Sequence, residues 1–207
     1  QEVPGVPDEV DLNVQVKEKP TGSVTVGAGY GSVDGVSLSF GITQDNAFGS
    51  GNSLGLQVNT SKYNRVIVVS TTNPYFTKDG VSRTIDVYHR FTQPYEDQGG
   101  NYSLTTEGAS VRFGVPFSET DRVYFGGGIE RTRIDPGTAI PAVYLQYADQ
   151  FGYSSTEFPL TIGWSRDSRD SALVPTDGTL QRFNGEWGVA GATRYVKGDY
   201  QYQQYVP

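Results

Sequence analysis

The 207-residue chain contains no cysteine, no methionine and a single histidine, His89. Without cysteine it can build neither a disulfide framework nor a thiolate metal site. It also lacks a long apolar run: the longest, such as Val66-Ile67-Val68-Val69, are about four or five residues, whereas a spanning helix needs roughly 20. If the chain crosses a bilayer, it does so as strands. A basic stripe is missing as well, and a formal net charge of -7 argues against nucleic acid, which requires clustered Lys and Arg to neutralise phosphates. Gln1-Glu2-Val3 has neither the charged nor the apolar region of a secretory signal. The chain is therefore expected to start within a longer protein or after a removed leader.

What is abundant is glycine and aromatic residue: Gly 26, Tyr 14 and Phe 10, a composition suited to short strands and tight turns. From Ser23 onward one physical unit recurs about ten times, a stretch of period-two apolar and polar alternation followed by a turn rich in Gly, Asp, Asn or Pro. The first stretch, residues 23–30, places Val24, Val26, Ala28 and Tyr30 on one face and Ser23, Thr25, Gly27 and Gly29 on the other. The second opposes Val36, Leu38, Phe40 and Ile42 to Ser37, Ser39, Gly41 and Thr43. Further strands are expected over 54–59, 65–73, 84–91, 108–115, 123–130, 158–165, 180–189 and 196–205. The connection 134–155, with Tyr144, Tyr147, Phe151 and Tyr153, is expected to be a functional or disordered loop.

Such alternation has two readings, since an apolar face can meet lipid or a soluble core. Aromatics near segment ends (Tyr30, Phe91, Tyr95, Tyr200) fit interfacial girdles, and charges on the polar face (Asp86, Arg90, Arg112, Glu130, Glu186) fit a wet lumen. A soluble sandwich or lipocalin-like barrel remains the alternative.

Apparent catalytic features have plainer explanations. Arg166-Asp167-Ser168-Arg169-Asp170-Ser171 gathers carboxylates, guanidinium groups and hydroxyls, but beside a turn such charges ordinarily form ion pairs and turn hydrogen bonds. A serine hydrolase needs a base and an orienting acid, and His89 falls on the apolar phase. Asp45, Asp79 and Asp177 sit singly in turns, without a cation-binding set. Gly27-Ala28-Gly29-Tyr30-Gly31 precedes no helix that would present its N-terminus to a phosphate.

Specific stretches carry more than the statistics. Val10-Asp11-Leu12-Asn13-Val14-Gln15-Val16-Lys17-Glu18-Lys19 leading into Thr21-Gly22-Ser23 and Gly27-Ala28-Gly29-Tyr30-Gly31 resembles the junction between the last periplasmic POTRA domain and the first barrel strand of the BamA family. Gln44-Asp45-Asn46-Ala47-Phe48-Gly49-Ser50-Gly51, Asn73-Pro74-Tyr75-Phe76-Thr77-Lys78-Asp79-Gly80 and Pro175-Thr176-Asp177-Gly178 are similar to that family's turns, in the same order and spacing. The resemblance implies an all-β fold, an antiparallel transmembrane β-barrel of about sixteen strands, of which this chain holds about the first ten. The family's Val-Arg-Gly-Phe/Tyr loop does not occur in it. Residues 1–20 then correspond to the end of the POTRA domain and a linker, and 21–207 to the N-terminal part of the barrel.

The resemblance further implies a non-enzymatic outer-membrane factor, without cofactor or metal, that folds and inserts client barrels. Its expected partners are unfolded outer-membrane proteins, accessory lipoproteins of an assembly complex and outer-membrane lipid, with no nucleic acid. The expected client-pairing edge is the first strand: Ser23, Val24, Thr25, Val26, Gly27, Ala28, Gly29 and Tyr30. A secretion pore of the same superfamily and an outer-membrane barrel enzyme are the alternatives.

Overall fold

A computed structural model describes residues 20–32, 35–93, 102–137 and 140–206. The expected POTRA end at 1–20 lies, apart from Pro20, outside these residues. Ten strands form one antiparallel sheet whose spatial order is their chain order: β1 (Gly22–Gly31), β2 (Gly35–Gln44), β3 (Ser53–Thr60), β4 (Asn64–Asn73), β5 (Ser82–Thr92), β6 (Ser103–Pro116), β7 (Asp121–Asp135), β8 (Ser154–Asp167), β9 (Gly178–Gly191) and β10 (Val196–Tyr205). This is the up-and-down meander of a partial transmembrane barrel.

Register keeps the two faces chemically distinct. One row of directly opposed residues, Val24, Ile42, Leu56, Val69, Val87, Ala109 and Ile129, crosses seven strands on the apolar face. The parallel row Thr25, Gly41, Gln57, Val68, Tyr88, Gly108, Glu130 and Glu157 crosses the polar face. No second layer covers the apolar row among the described residues; Val26 is 76% exposed, Val87 54% and Val69 51%. A soluble sandwich would bury these side chains between sheets. An uncovered apolar belt on an up-and-down barrel meander is the face that meets lipid.

Strands β6, β7 and β8 extend further than their apolar alternation indicates. β6 begins at Ser103, not Gly108, and β7 runs on to Asp135. In these extensions the lipid-side positions are Thr105, Glu107, Arg131 and Arg133, paired Glu107↔Arg131 and Thr105↔Arg133. Beyond the hydrocarbon the ladder continues while the requirement for apolar side chains stops, so hydropathy ends before hydrogen bonding does. Pro159, which cannot donate to a ladder, sits at the register shift between β8 and β9.

The connection after β7 is not the wholly irregular loop expected. It contains α1 (Ala142–Phe151), preceded by Pro141 and ended at Gly152, which has a positive φ of 83° and donates its N–H to the Ala148 carbonyl at 2.8 Å. Tyr144, Tyr147, Ala148 and Phe151 recur at helical spacing. Tyr144 packs against Tyr102 with tilted rings 4.6 Å apart between centroids, and Tyr147 against Phe151 at 5.0 Å, also tilted.

Candidate strand-pairing edge

β1 has a hydrogen-bonded neighbour on one side only, β2, in unbroken register from Gly22↔Gln44 to Gly31↔Gly35. Its other side presents a row of backbone N–H and C=O groups with no strand beside them among the described residues. The sequence of that edge makes it unusual. Edge strands are ordinarily defended by charged side chains, proline or bulges. Residues 23–30 contain none of these, and β1 pairs with β2 without a bulge. All eight residues named from the sequence lie in one continuous strand that pairs with β2 without a break.

One end of this strand is fixed. Asp45 N–H donates to the Thr21 carbonyl at 2.7 Å, and the Gln44 side-chain amide donates to the Thr21 hydroxyl at 2.6 Å. The turn that follows β2 is itself tied by Gly51 N–H to the Asn46 side-chain oxygen at 2.7 Å and by the Ser53 hydroxyl to Asp45 at 2.8 Å. Beyond this anchor, among the described residues, β1 is held to the sheet by its ladder to β2.

The charge cluster after β8 assembles as a turn. Arg169 donates two hydrogen bonds to Asp167, both at 2.8 Å. Asp170 accepts from the Thr176 hydroxyl and from the backbone N–H groups of Thr176 at 2.9 Å and Asp177 at 3.2 Å. The Thr176 hydroxyl and these amides stabilise the Asp170 carboxylate and hold its pKa at about 2. His89 lies on the lipid side in register with Glu107, its Nδ1 3.2 Å from the carboxylate, and belongs to the polar rim above the apolar belt. No Ser168 and His89 pairing exists.

The lumen carries a network that the sequence shows only as isolated charges. The Tyr88 hydroxyl donates to Glu130 at 2.7 Å, the Tyr195 hydroxyl and Lys197 donate to Glu186 at 2.8 and 3.1 Å, and the Thr193 hydroxyl donates to Glu157. Tyr88 and Glu130 are 42 residues apart, so only the strand register brings them together.

A profile of the Omp85 superfamily domain matches residues 46–207. The chain belongs to the Omp85 superfamily. Among its Omp85 relatives, the outer membrane protein assembly factor BamA of Neisseria meningitidis serogroup B is 37% identical over 198 residues, 91% of this chain. The protein of the same description from Nitratidesulfovibrio vulgaris is 29% identical over 96% of the chain. The crystal structure of BamA from Haemophilus ducreyi lacking POTRA domains 1-3 superposes with a TM-score of 0.80 at 29% identity, covering 92% of this chain and 38% of that one. The chain spans about a quarter of the length of these curated relatives, 25% and 24%.

Proposed function

We propose that this Omp85 chain is the N-terminal part of the barrel of an outer-membrane assembly factor, which folds and inserts client β-barrels by offering β1 as a template. The observation that supports the reading is β1 itself, the first strand of the sheet, whose residues 23–30 carry neither charge nor proline. In hydrocarbon each unsatisfied backbone group costs several kcal/mol, so an incoming strand that satisfies them is held by its main chain and its side-chain sequence matters less. The descriptions of the Neisseria and Nitratidesulfovibrio relatives as assembly factors support the same reading.

The protein then resides in the bacterial outer membrane, its clients are unfolded outer-membrane proteins, and accessory lipoproteins join it in the assembly complex. Residues 1–20 connect the barrel to the last POTRA domain. The process is not enzymatic: the hydrogen bonds gained as the client folds supply the driving force. Single cysteines placed along residues 23–30 are expected to crosslink to a stalled client strand. Yields no higher than from cysteines in the interior strand β5 would contradict the proposal.

A further inference from the structure

On the lipid side of β4 to β7 the apolar belt ends against a row of polar and charged residues. In register across these strands, Ile67, His89, Glu107 and Arg131 lie one step beyond Val69, Val87, Ala109 and Ile129. Each of the four strands is paired on both sides, so this surface is fully built within the described residues. Ala109, between the larger Val87 and Ile129, leaves a shallow apolar hollow walled by Ile67, Val69, Val87 and Ile129. His89, Glu107 and Arg131 stand at its polar end.

The charges at that end are unequally satisfied. His89 Nδ1 lies 3.2 Å from the Glu107 carboxylate, so Glu107 is engaged sideways and not with Arg131, the residue directly opposite it. Arg131 donates from Nε to the Ser154 hydroxyl at 3.0 Å. Arg133, the next residue on the same face, forms no ion pair among the described residues. Asp135 and Glu107 are the carboxylates of this face nearest the two arginines, and neither forms an ion pair with them. Two exposed guanidinium groups thus project about 7 Å apart along one strand, and a guanidinium fork matches the oxygens of a phosphate.

We infer that this end of β5 to β7 is a binding site for a lipid whose headgroup carries a phosphate monoester. Arg131 and Arg133 take the phosphate, and one acyl chain lies in the hollow over Ala109. Neither half alone would specify such a lipid. Any arginine beside hydrocarbon reaches for the interface, and any acyl chain can lie on an apolar belt. The two halves are contiguous, at the level where headgroup gives way to chain. A phosphate monoester carries more than one negative charge near neutral pH, enough for both forks. A choline headgroup offers one negative charge and places a cation beside it, which faces the arginines with like charge. The site lies away from β1 and does not depend on strand pairing there.

The test reconstitutes the full-length protein in phosphatidylcholine vesicles. These contain a trace of phosphatidic acid, or of phosphatidylcholine, with a photoreactive group on one acyl chain, and labelled residues are mapped by peptide mass spectrometry. Phosphatidic acid is expected to label residues 85–91, 105–111 and 127–133 about five- to thirtyfold more than phosphatidylcholine does, the range supplied by one or two arginines beside an anionic headgroup. The apolar belt of β2 and β3 should show little preference. Replacing both arginines, Arg131→Gln with Arg133→Gln, is expected to bring the ratio on β5 to β7 down to that on β2 and β3. Equal ratios on the two parts of the belt would reveal general attraction of anionic lipid and overturn the inference. A ratio on β5 to β7 unmoved by the double substitution would overturn it as well. Inorganic phosphate, added at the concentration of the labelled lipid, should leave the labelling unchanged; displacement by it would assign the arginines to free phosphate and remove the lipid.

Discussion

Asp170 shows how a single carboxylate organises the turn between β8 and β9. Its pKa of about 2 lies below the ordinary carboxylate value near 4, so the folded turn favours the ionised form. The stabilisation is fully present above the ordinary value and is lost as pH falls through about 2. Amide hydrogen exchange at Thr176 and Asp177 is expected to show protection unchanged from neutral pH to about 4, then declining with further acidification. Asp170→Asn should weaken protection at neutral pH and flatten this dependence; an unaltered acid profile would count against the assignment. Glycines supply a second residue-scale test. Gly126→Ala forces a Cβ to within 2.3 Å of the Val111 carbonyl and is expected to cost about 1–3 kcal/mol, the usual range for overpacking. Gly27→Ala meets only a rotatable hydroxyl and should cost much less, as read from urea unfolding of the two variants in lipid.

Among elements, β1 has the most distinctive expected behaviour. In an antiparallel edge strand, alternate N–H groups point toward the neighbour and toward the open side. A proline scan over residues 23–30 should therefore have period two. At one parity proline removes a bond to β2 and destabilises the hairpin; at the other it leaves the fold intact but deletes a donor from the open edge, lowering client crosslinking. A monotonic profile along the strand, with no alternation, would contradict an open β1 edge. The positions of all ten strands are legible in the sequence because lipid and lumen impose opposite demands on alternate residues. Strand ends are less so: Glu107, Arg131 and Arg133 lie within ladders but outside the apolar belt, where hydropathy is silent. α1 goes unread for another reason. Its ten residues form one short helix set between two long strands, and the ring of Tyr102 that packs on it lies 42 residues before Tyr144 in the chain. The residues of β1 can be named from the sequence, but their register against β2 is set by the turn between the two strands and is seen only in the structure.

For the whole molecule, the decisive property is that one sheet separates two solvents, so adjacent residues of one strand should differ in their tolerance of charge. Val68 and Val69 make the comparison sharp. Val69 lies in the apolar row between Leu56 and Val87, and Val68 in the lumen row between Gln57 and Tyr88. Near the bilayer midplane an arginine on the lipid face of a barrel costs about 2–4 kcal/mol, whereas on the lumen side its guanidinium remains in water. Val69→Arg is thus expected to lower folding stability in phospholipid vesicles by that amount, and Val68→Arg by a small fraction of it. In short-chain detergent, whose headgroups and water reach a charge more easily, the difference should shrink. A sheet whose Val69 face met water would tolerate both substitutions alike in either medium, and one whose Val69 face was packed against protein would lose stability to Val69→Arg equally in vesicles and detergent. Only a lipid-facing belt makes the penalty depend on the surrounding medium.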